Sequence, residues 1–198
     1  MAEQGRVRWK RFAVILAPVA VVTSVVVGAT AQGVIGATFV VAGSAFKLSV
    51  GELRGQGFAM TGRVVENRAG RSIPVIATGV RRAVVTDLCQ SVLVRTPLGP
   101  VTMRLTGGRG GNVVTIDDLV LDVETGRTGA DLRALELGRD AATLDEVPGL
   151  RGPAGAFGSQ ASAVTLRDLR LSPRAATAAT FRLPDLGLDV VRGERECF

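Results

Sequence analysis

The chain has 198 residues, with 24 Lys and Arg against 18 Asp and Glu, two cysteines, one tryptophan, and neither histidine nor tyrosine. Without histidine there is no Ser-His-Asp or Cys-His catalysis, no histidine-containing zinc site and no imidazole proton shuttle. Two cysteines cannot complete a thiolate zinc or iron–sulfur centre in one chain, and sparse aromatics with arginines interleaved among acids argue against nucleic-acid binding.

The first organised feature is N-terminal. Arg6, Arg8, Lys10 and Arg11 precede a mostly apolar run, Phe12 to Ala31, and no further charge appears until Lys47. About 20 apolar residues suffice for a helix to span a bilayer, and basic residues in front favour keeping that end in the cytoplasm. Everything after it would then be extracytoplasmic. Ala29-Thr30-Ala31 also has the form of a signal-peptidase site. Residues 1–31 therefore read as a signal peptide or as a single transmembrane anchor, and residues 32–198 as one extracytoplasmic β domain. Removing residues 1–31 lowers the formal net charge from +6 to +3, so part of the basicity belongs to the export signal.

Residues 32–45 are small and apolar, with a first strand expected around Ala37–Val41. Phe46–Val50 alternates apolar and polar side chains, the period of a half-buried strand, and Gly51, Gly55 and Gly57 are expected to break it. A strand over 58–65, a turn over Glu66–Arg71 and a strand from Ile73 to Thr78 follow, with Pro74 at an edge or a strand start.

Beyond this a short phrase recurs: apolar-x-apolar-x-Asp-Leu-x-Leu. It runs through Asp87, Asp118, Asp168 and Asp185, with weaker copies at Phe46–Leu53 and Leu132–Leu137. The aspartates are separated by 31, 50 and 17 residues, which is no fixed solenoid period. Apolar positions 1 and 3 followed by 6 and 8 shift the inward register by one. A period-two strand needs a bulge, a bend or a turn to allow that. The aspartates therefore read as bend-formers, since Asp bonds readily to nearby backbone N–H. A calcium or acid/base row of the same four carboxylates lacks the dense oxygen ligands of a Ca²⁺ loop.

Cys89 and Cys197, placed outside the cytoplasm, read as one disulfide tying the C-terminus to the middle of the domain. Thr106–Asn112, TGGRGGN, is a loop or hairpin end without the Lys-Ser/Thr of a phosphate-binding loop. Asp140–Gln160, rich in Pro and Gly, is the longest irregular excursion, a surface loop or a partner-binding loop. Ser172–Thr180 fits one short helix, though its Thr and Ala also permit a strand. Asp117 and Asp118 with Glu124, or Glu136 with Asp140, are the carboxylate pairs nearest to a glycosidase-like arrangement, and nothing separates them from solvated surface groups. No catalytic, cofactor-binding or metal-ligating residue is assigned.

Several landmarks together resemble a family of uncharacterised exported proteins of streptomycetes and related actinobacteria. They are Arg8-Trp9-Lys10-Arg11-Phe12, Ala31-Gln32-Gly33, Phe39–Val41, Gly57-Phe58, Cys89-Gln90-Ser91-Val92 and Glu196-Cys197-Phe198. The resemblance implies a membrane-associated or secreted protein, with a small multi-helix membrane protein as companion. Some relatives are labelled cholesterol esterase, a label that brings no catalytic residues to this sequence.

The expected fold is all-β: an N-terminal hydrophobic helix, then one domain that is sandwich- or barrel-like or an irregular β-solenoid. The expected function is non-enzymatic, a structural or assembly protein of the bacterial envelope. The alternative is a lipid or hydrophobic-ligand module whose Val84-Val85 and Leu119–Val123 strands line a cavity. A lipid esterase is the weaker rival. Partners compatible with these readings are the membrane through the N-terminal segment, further copies or a small integral membrane protein, and lipid, but not nucleic acid.

Overall fold

The computed structural model describes residues 45–67 and 69–198. The hydrophobic segment and the strand expected around Ala37–Val41 lie outside the described residues. Nine strands follow in chain order: β1 Lys47–Glu66, β2 Ser72–Thr86, β3 Leu88–Thr96, β4 Gly99–Gly107, β5 Val114–Arg133, β6 Glu136–Asp140, β7 Phe157–Thr177, β8 Thr180–Arg182 and β9 Gly187–Arg192. The one helical element among the described residues is a 3₁₀ turn at Ala141–Thr143. The all-β class expected from the alternation is therefore the observed one.

All pairings are antiparallel, within a single nine-stranded sheet. β1, β2, β5 and β7 pair in a circuit, β1 with β2, β2 with β5, β5 with β7 and β7 with β1. From β1 the sheet continues outward through β3, β4 and β9, while β6 joins β7 and β8 joins β5. Among the described residues β6 and β9 end the sheet with unpaired edges, so it is not a closed barrel, and antiparallel neighbours are not the stacked coils of a solenoid.

β1 runs unbroken through Gly51, Gly55 and Gly57, where breaks were expected. These glycines serve close approach instead. A Cβ on Gly55 would stand 2.4 Å from Val80 Cγ1, and one on Gly57, at φ +67°, would stand 2.5 Å from the Glu146 carbonyl oxygen. Pro74 sits near the start of β2, where the strand pairs with β1 alone, so its missing N–H costs no ladder bond on the β5 side. Residues 172–177 continue β7, and β8 begins at Thr180, so the short helix expected there is replaced by strand. Pairing with β5 overrides the helix propensity of its alanines.

The repeated phrase becomes a pair of creases across the sheet. Asp87, Asp118, Asp168 and Asp185 all lie in the left-handed region, at φ +52°, +51°, +50° and +54°. Val50 faces Leu169 and Glu52 faces Arg167, so Gly51 stands beside Asp168; Glu52 also faces Thr86, which places Gly51 beside Asp87. Asp87 N–H donates to the Gly108 carbonyl, and Gly108 N–H to that of Pro184, next to Asp185. One crease thus crosses the sheet through Asp185, Gly108, Asp87, Gly51 and Asp168. A second passes Asp118, Arg81 and Gly57, since Val80 faces Leu119 and Phe58. On its far side it reaches Ser162 and Ala134, the latter at φ +49° in the weaker copy of the phrase. A left-handed residue turns the pleat over without adding a residue, so Val114 and Ile116 before Asp118, and Leu119 and Leu121 after it, all point into the core. In β5 and β7 the phrase is one creased strand, not two strands meeting at a turn.

The main core fills the inside of the four-strand circuit with Val80, Val85, Leu119, Leu121, Val123 and their neighbours. Of Val84-Val85 and Leu119–Val123, read from the sequence as cavity lining, Val85, Leu119, Leu121 and Val123 are part of this packed cluster, while Val120 packs into the second one, Asp122 pairs with Arg63 and Val84 is exposed. That second cluster lies on the outer side. There the excursion after Asp140 folds back and buries Leu144, Val147 and Leu150 against Ala59 and Ala77. Small residues on the sheet make room: a Cβ on Gly79 would stand 3.0 Å from Val147 Cγ1. Burying each of these aliphatic side chains is worth about 1.5–3 kcal/mol.

Candidate functional site

The least covered apolar surface belongs to β3, β4 and β9. Residues directly opposite in antiparallel strands share a face. Leu88 and Leu105 belong to or pack on the main core, and their face continues outward. One row is Gln90, Leu105 and Leu188, the next Val92, Met103 and Val190, and the outermost Val94, Val101 and Arg192. Met103 is 52% exposed, and Leu188 and Val190 are each 71% exposed. At the tip of the β3–β4 hairpin Leu98 is fully exposed, its N–H donating to Thr96 Oγ1, while that hydroxyl donates to the Gly99 carbonyl. Among the described residues nothing covers this face, which continues from the core to exposed side chains. Arg192 is its one charged side chain, and exposed Arg95 flanks the hairpin tip.

The opposite face of the same strands is covered by the chain's own C-terminus. Ser91 and Thr102 are buried there. Thr102 Oγ1 donates to the Gly193 carbonyl and accepts from Arg195 N–H, and Ser91 Oγ accepts from Cys197 N–H. The Cys89–Cys197 disulfide, spanning 108 positions, locks this strap to β3. At its end Lys47 Nζ lies 2.9 Å from Glu196 and donates to the Phe198 carbonyl. The Phe198 ring sits 5.3 Å from Lys47 Nζ and 5.9 Å from the Arg170 guanidinium. Arg104 pairs with Asp189 at 3.5 Å on this side.

The other residues singled out by the sequence have structural surroundings. The four phrase aspartates stand on two different creases and do not converge. Asp185 accepts from Asn112 of the TGGRGGN loop, which joins β4 to β5 with Gly108, Gly110 and Gly111 at positive φ. Asp117 pairs with Arg82 and Glu124 with Arg174. Glu136 pairs with Arg139 at 2.6 Å, and Asp140 caps the 3₁₀ turn. Among the described residues no three His, Cys, Asp or Glu side chains are grouped to hold a metal ion.

The excursion packs down on the sheet and is latched at both ends. Asp140 accepts from Ala142 N–H and Gly155 N–H, and these two bonds hold its carboxyl below the usual aspartate range. Gln160 does the same for Asp145 by donating to it, with Arg139 adding a smaller push in that direction. Thr61 Oγ1 donates to the Phe157 carbonyl, tying the end of the excursion to β1.

Sequence reasoning missed the open face itself. Its signal was present in Leu186, Leu188 and Val190, a period-two apolar series beside the phrase aspartate Asp185. That series reads as a half-buried strand, and nothing in it says that the buried side lacks a cover.

Fold and surface together define a disulfide-closed, antiparallel β domain whose core continues onto a sheet face that no described residue covers. The chain belongs to a family of unknown function, DUF6230, whose model matches residues 42–198, most of its length. No curated protein and no solved structure matches it.

Proposed function

We propose that this protein is a non-enzymatic, extracytoplasmic domain that serves an assembly of the bacterial envelope, attaching through the open face of β3, β4 and β9. The uncovered apolar face carries this reading, because contiguous exposed apolar surface on a soluble domain marks an interaction site. The disulfide is consistent with an oxidising compartment. The chemistry left by a sequence without histidine favours binding over turnover. Light scattering on the native protein, with recovery of envelope partners and N-terminal sequencing, tests it. A strictly monomeric protein that binds neither membrane nor envelope component would sink the proposal.

A second reading, a lipid or hydrophobic-ligand module, is favoured by the continuity of the open face with the main core. An acyl chain laid along Val92, Met103 and Val190 would extend that core. Mass spectrometry of gently purified protein separates the two readings: a stoichiometric co-purified lipid supports the module, and oligomers without lipid support assembly.

A further inference from the structure

We infer that the open β3–β4–β9 face docks on the surface of an anionic phospholipid bilayer, with the Leu98 hairpin tip entering the headgroup layer. The inference rests on the reading of this face as the working surface and gives it one occupant. Three observations point there.

Charge is the first. The face holds no acidic side chain and Arg192 is its single charge; Arg95, on the strap side of β3 by register, stands near the tip, and Glu194 lies on the strap. A self-complementary contact through this face would offer Arg192 no acidic partner from the face itself, whereas lipid phosphates supply one. Shape is the second. Leu98 projects from the end of a two-stranded arm, beyond the apolar rows that carry Met103 and Val190. An apolar tip with basic flanks suits an interface where one end is greasy and the other wet.

Reach is the third. The apolar run ends at Ala31 and β1 begins at Lys47, which pairs with Ser91 of the same β3 that leads to the tip. Roughly 15 intervening residues extend to about 50 Å at most, so a chain anchored through residues 12–31 would keep the domain within that distance of a bilayer. The strap covers the other face of the arm, so a single side is left to dock.

The test uses residues 42–198, which contain the whole sheet, both clusters and the disulfide in one compact unit. The oxidised protein is mixed with phosphatidylglycerol or phosphatidylcholine vesicles, and the bound fraction is read by flotation. Binding is expected on phosphatidylglycerol, weakening with salt. Leu98→Asp should lower the partition at least tenfold, and each of Arg95→Gln and Arg192→Gln about fivefold. Met103→Asp with Val190→Asp should abolish it. All these sites are solvent-facing, and Leu98→Asp alone keeps the test valid if the double variant unfolds.

Equal binding by the wild type and Leu98→Asp, or no binding to phosphatidylglycerol, overturns the inference. So does a dimer, seen by light scattering, that Leu98→Asp or the Met103/Val190 double variant dissolves, because a second copy would then cover the face. A protein that ignores vesicles yet recovers an envelope protein through this face defeats the bilayer inference and leaves the assembly proposal standing.

Discussion

The creases make a prediction that ordinary strand preference reverses. Asp168 is exposed, lies inside the 21-residue strand β7 and has φ +50°. Replacing it removes no buried contact, so the backbone decides the outcome. Left-handed backbone costs an L-residue about 1–2 kcal/mol; Asp and Asn relieve it with short polar side chains, and Gly pays nothing for its absent Cβ. For a β-branched residue that geometry is an outlier. Asp168→Asn and Asp168→Gly should therefore leave stability within about 0.5 kcal/mol, because release of the left-handed strain offsets glycine's entropy loss of about 0.5–1 kcal/mol. Asp168→Val should cost about 2 kcal/mol, a fall of roughly 4–8 °C in Tm for a domain of this size. β-propensity alone ranks the same substitutions the other way, with Val best and Gly worst. The assay is urea unfolding of the oxidised protein with unchanged m-values. Met103, exposed on β4 and absent from the left-handed residues, is the control at which Val should exceed Gly. If Val matches or exceeds Gly at 168, the crease does not depend on left-handed geometry, and the account of the repeated phrase fails.

Three other perturbations test the strap and the latched excursion. Cys89→Ser with Cys197→Ser opens a cross-link spanning 108 positions. This should cost about 4.8 kcal/mol by the loop-entropy relation, and the Arg195 and Cys197 amides should lose exchange protection first; an unchanged Tm would show that the hydrogen bonds to Ser91 and Thr102 suffice alone. Leu150→Ala, at a fully buried position of the outer cluster, should cost about 2–5 kcal/mol. Limited proteolysis should then cut within 141–156 while the sheet persists, and cutting that starts in the sheet would contradict this order. The Asp140 carboxyl is held below its ordinary range by two backbone donors, so its contribution is complete above the unfolded-state aspartate pKa, about 3.9, and is lost as pH falls through the lower folded value. Exchange protection across 141–156, relative to the intrinsic rate at each pH, should fall in that acid window in the wild type, and Asp140→Asn should flatten the response.

How much of this was legible depends on whether a geometry restricts composition. A left-handed residue inside a strand admits few side chains, so the creases at Asp87, Asp118, Asp168 and Asp185 left a visible repeat. Ala134 adopts the same backbone with no telling side chain, and only its place in the weaker phrase Leu132–Leu137 marked it. Gly57, also on a crease, read as a break because glycine signals both turn and close approach. The irregular spacing follows from antiparallel pairing: strands cross a crease in alternating directions, so the separation depends on hairpin lengths and not on a repeat unit. The excursion after Asp140 was placed correctly as irregular, but its Leu144, Val147 and Leu150, spaced by three, carried the information that it packs down. Ser172–Thr177 shows the limit of local propensity. Its alanines favour a helix, and the ladder with β5 decides otherwise.

The two sides of the β3–β4–β9 arm bear most directly on function. One side is bound down by a disulfide, three hydrogen bonds to Ser91 and Thr102, and the Phe198 contacts. A chain that merely needed to hide apolar surface would have laid this strap on the other side, over Met103, Leu188 and Val190. The strap covers hydroxyls instead, rigidifies the arm and leaves its apolar face presented. An occupant of that face then adds to folding stability by mass action, about 2.7 kcal/mol at a hundredfold excess over its Kd. The occupant can accordingly be found from stability alone: anionic vesicles should raise the Tm of the wild type and leave that of Leu98→Asp where it was. A rise in both would place the binding surface elsewhere on the domain.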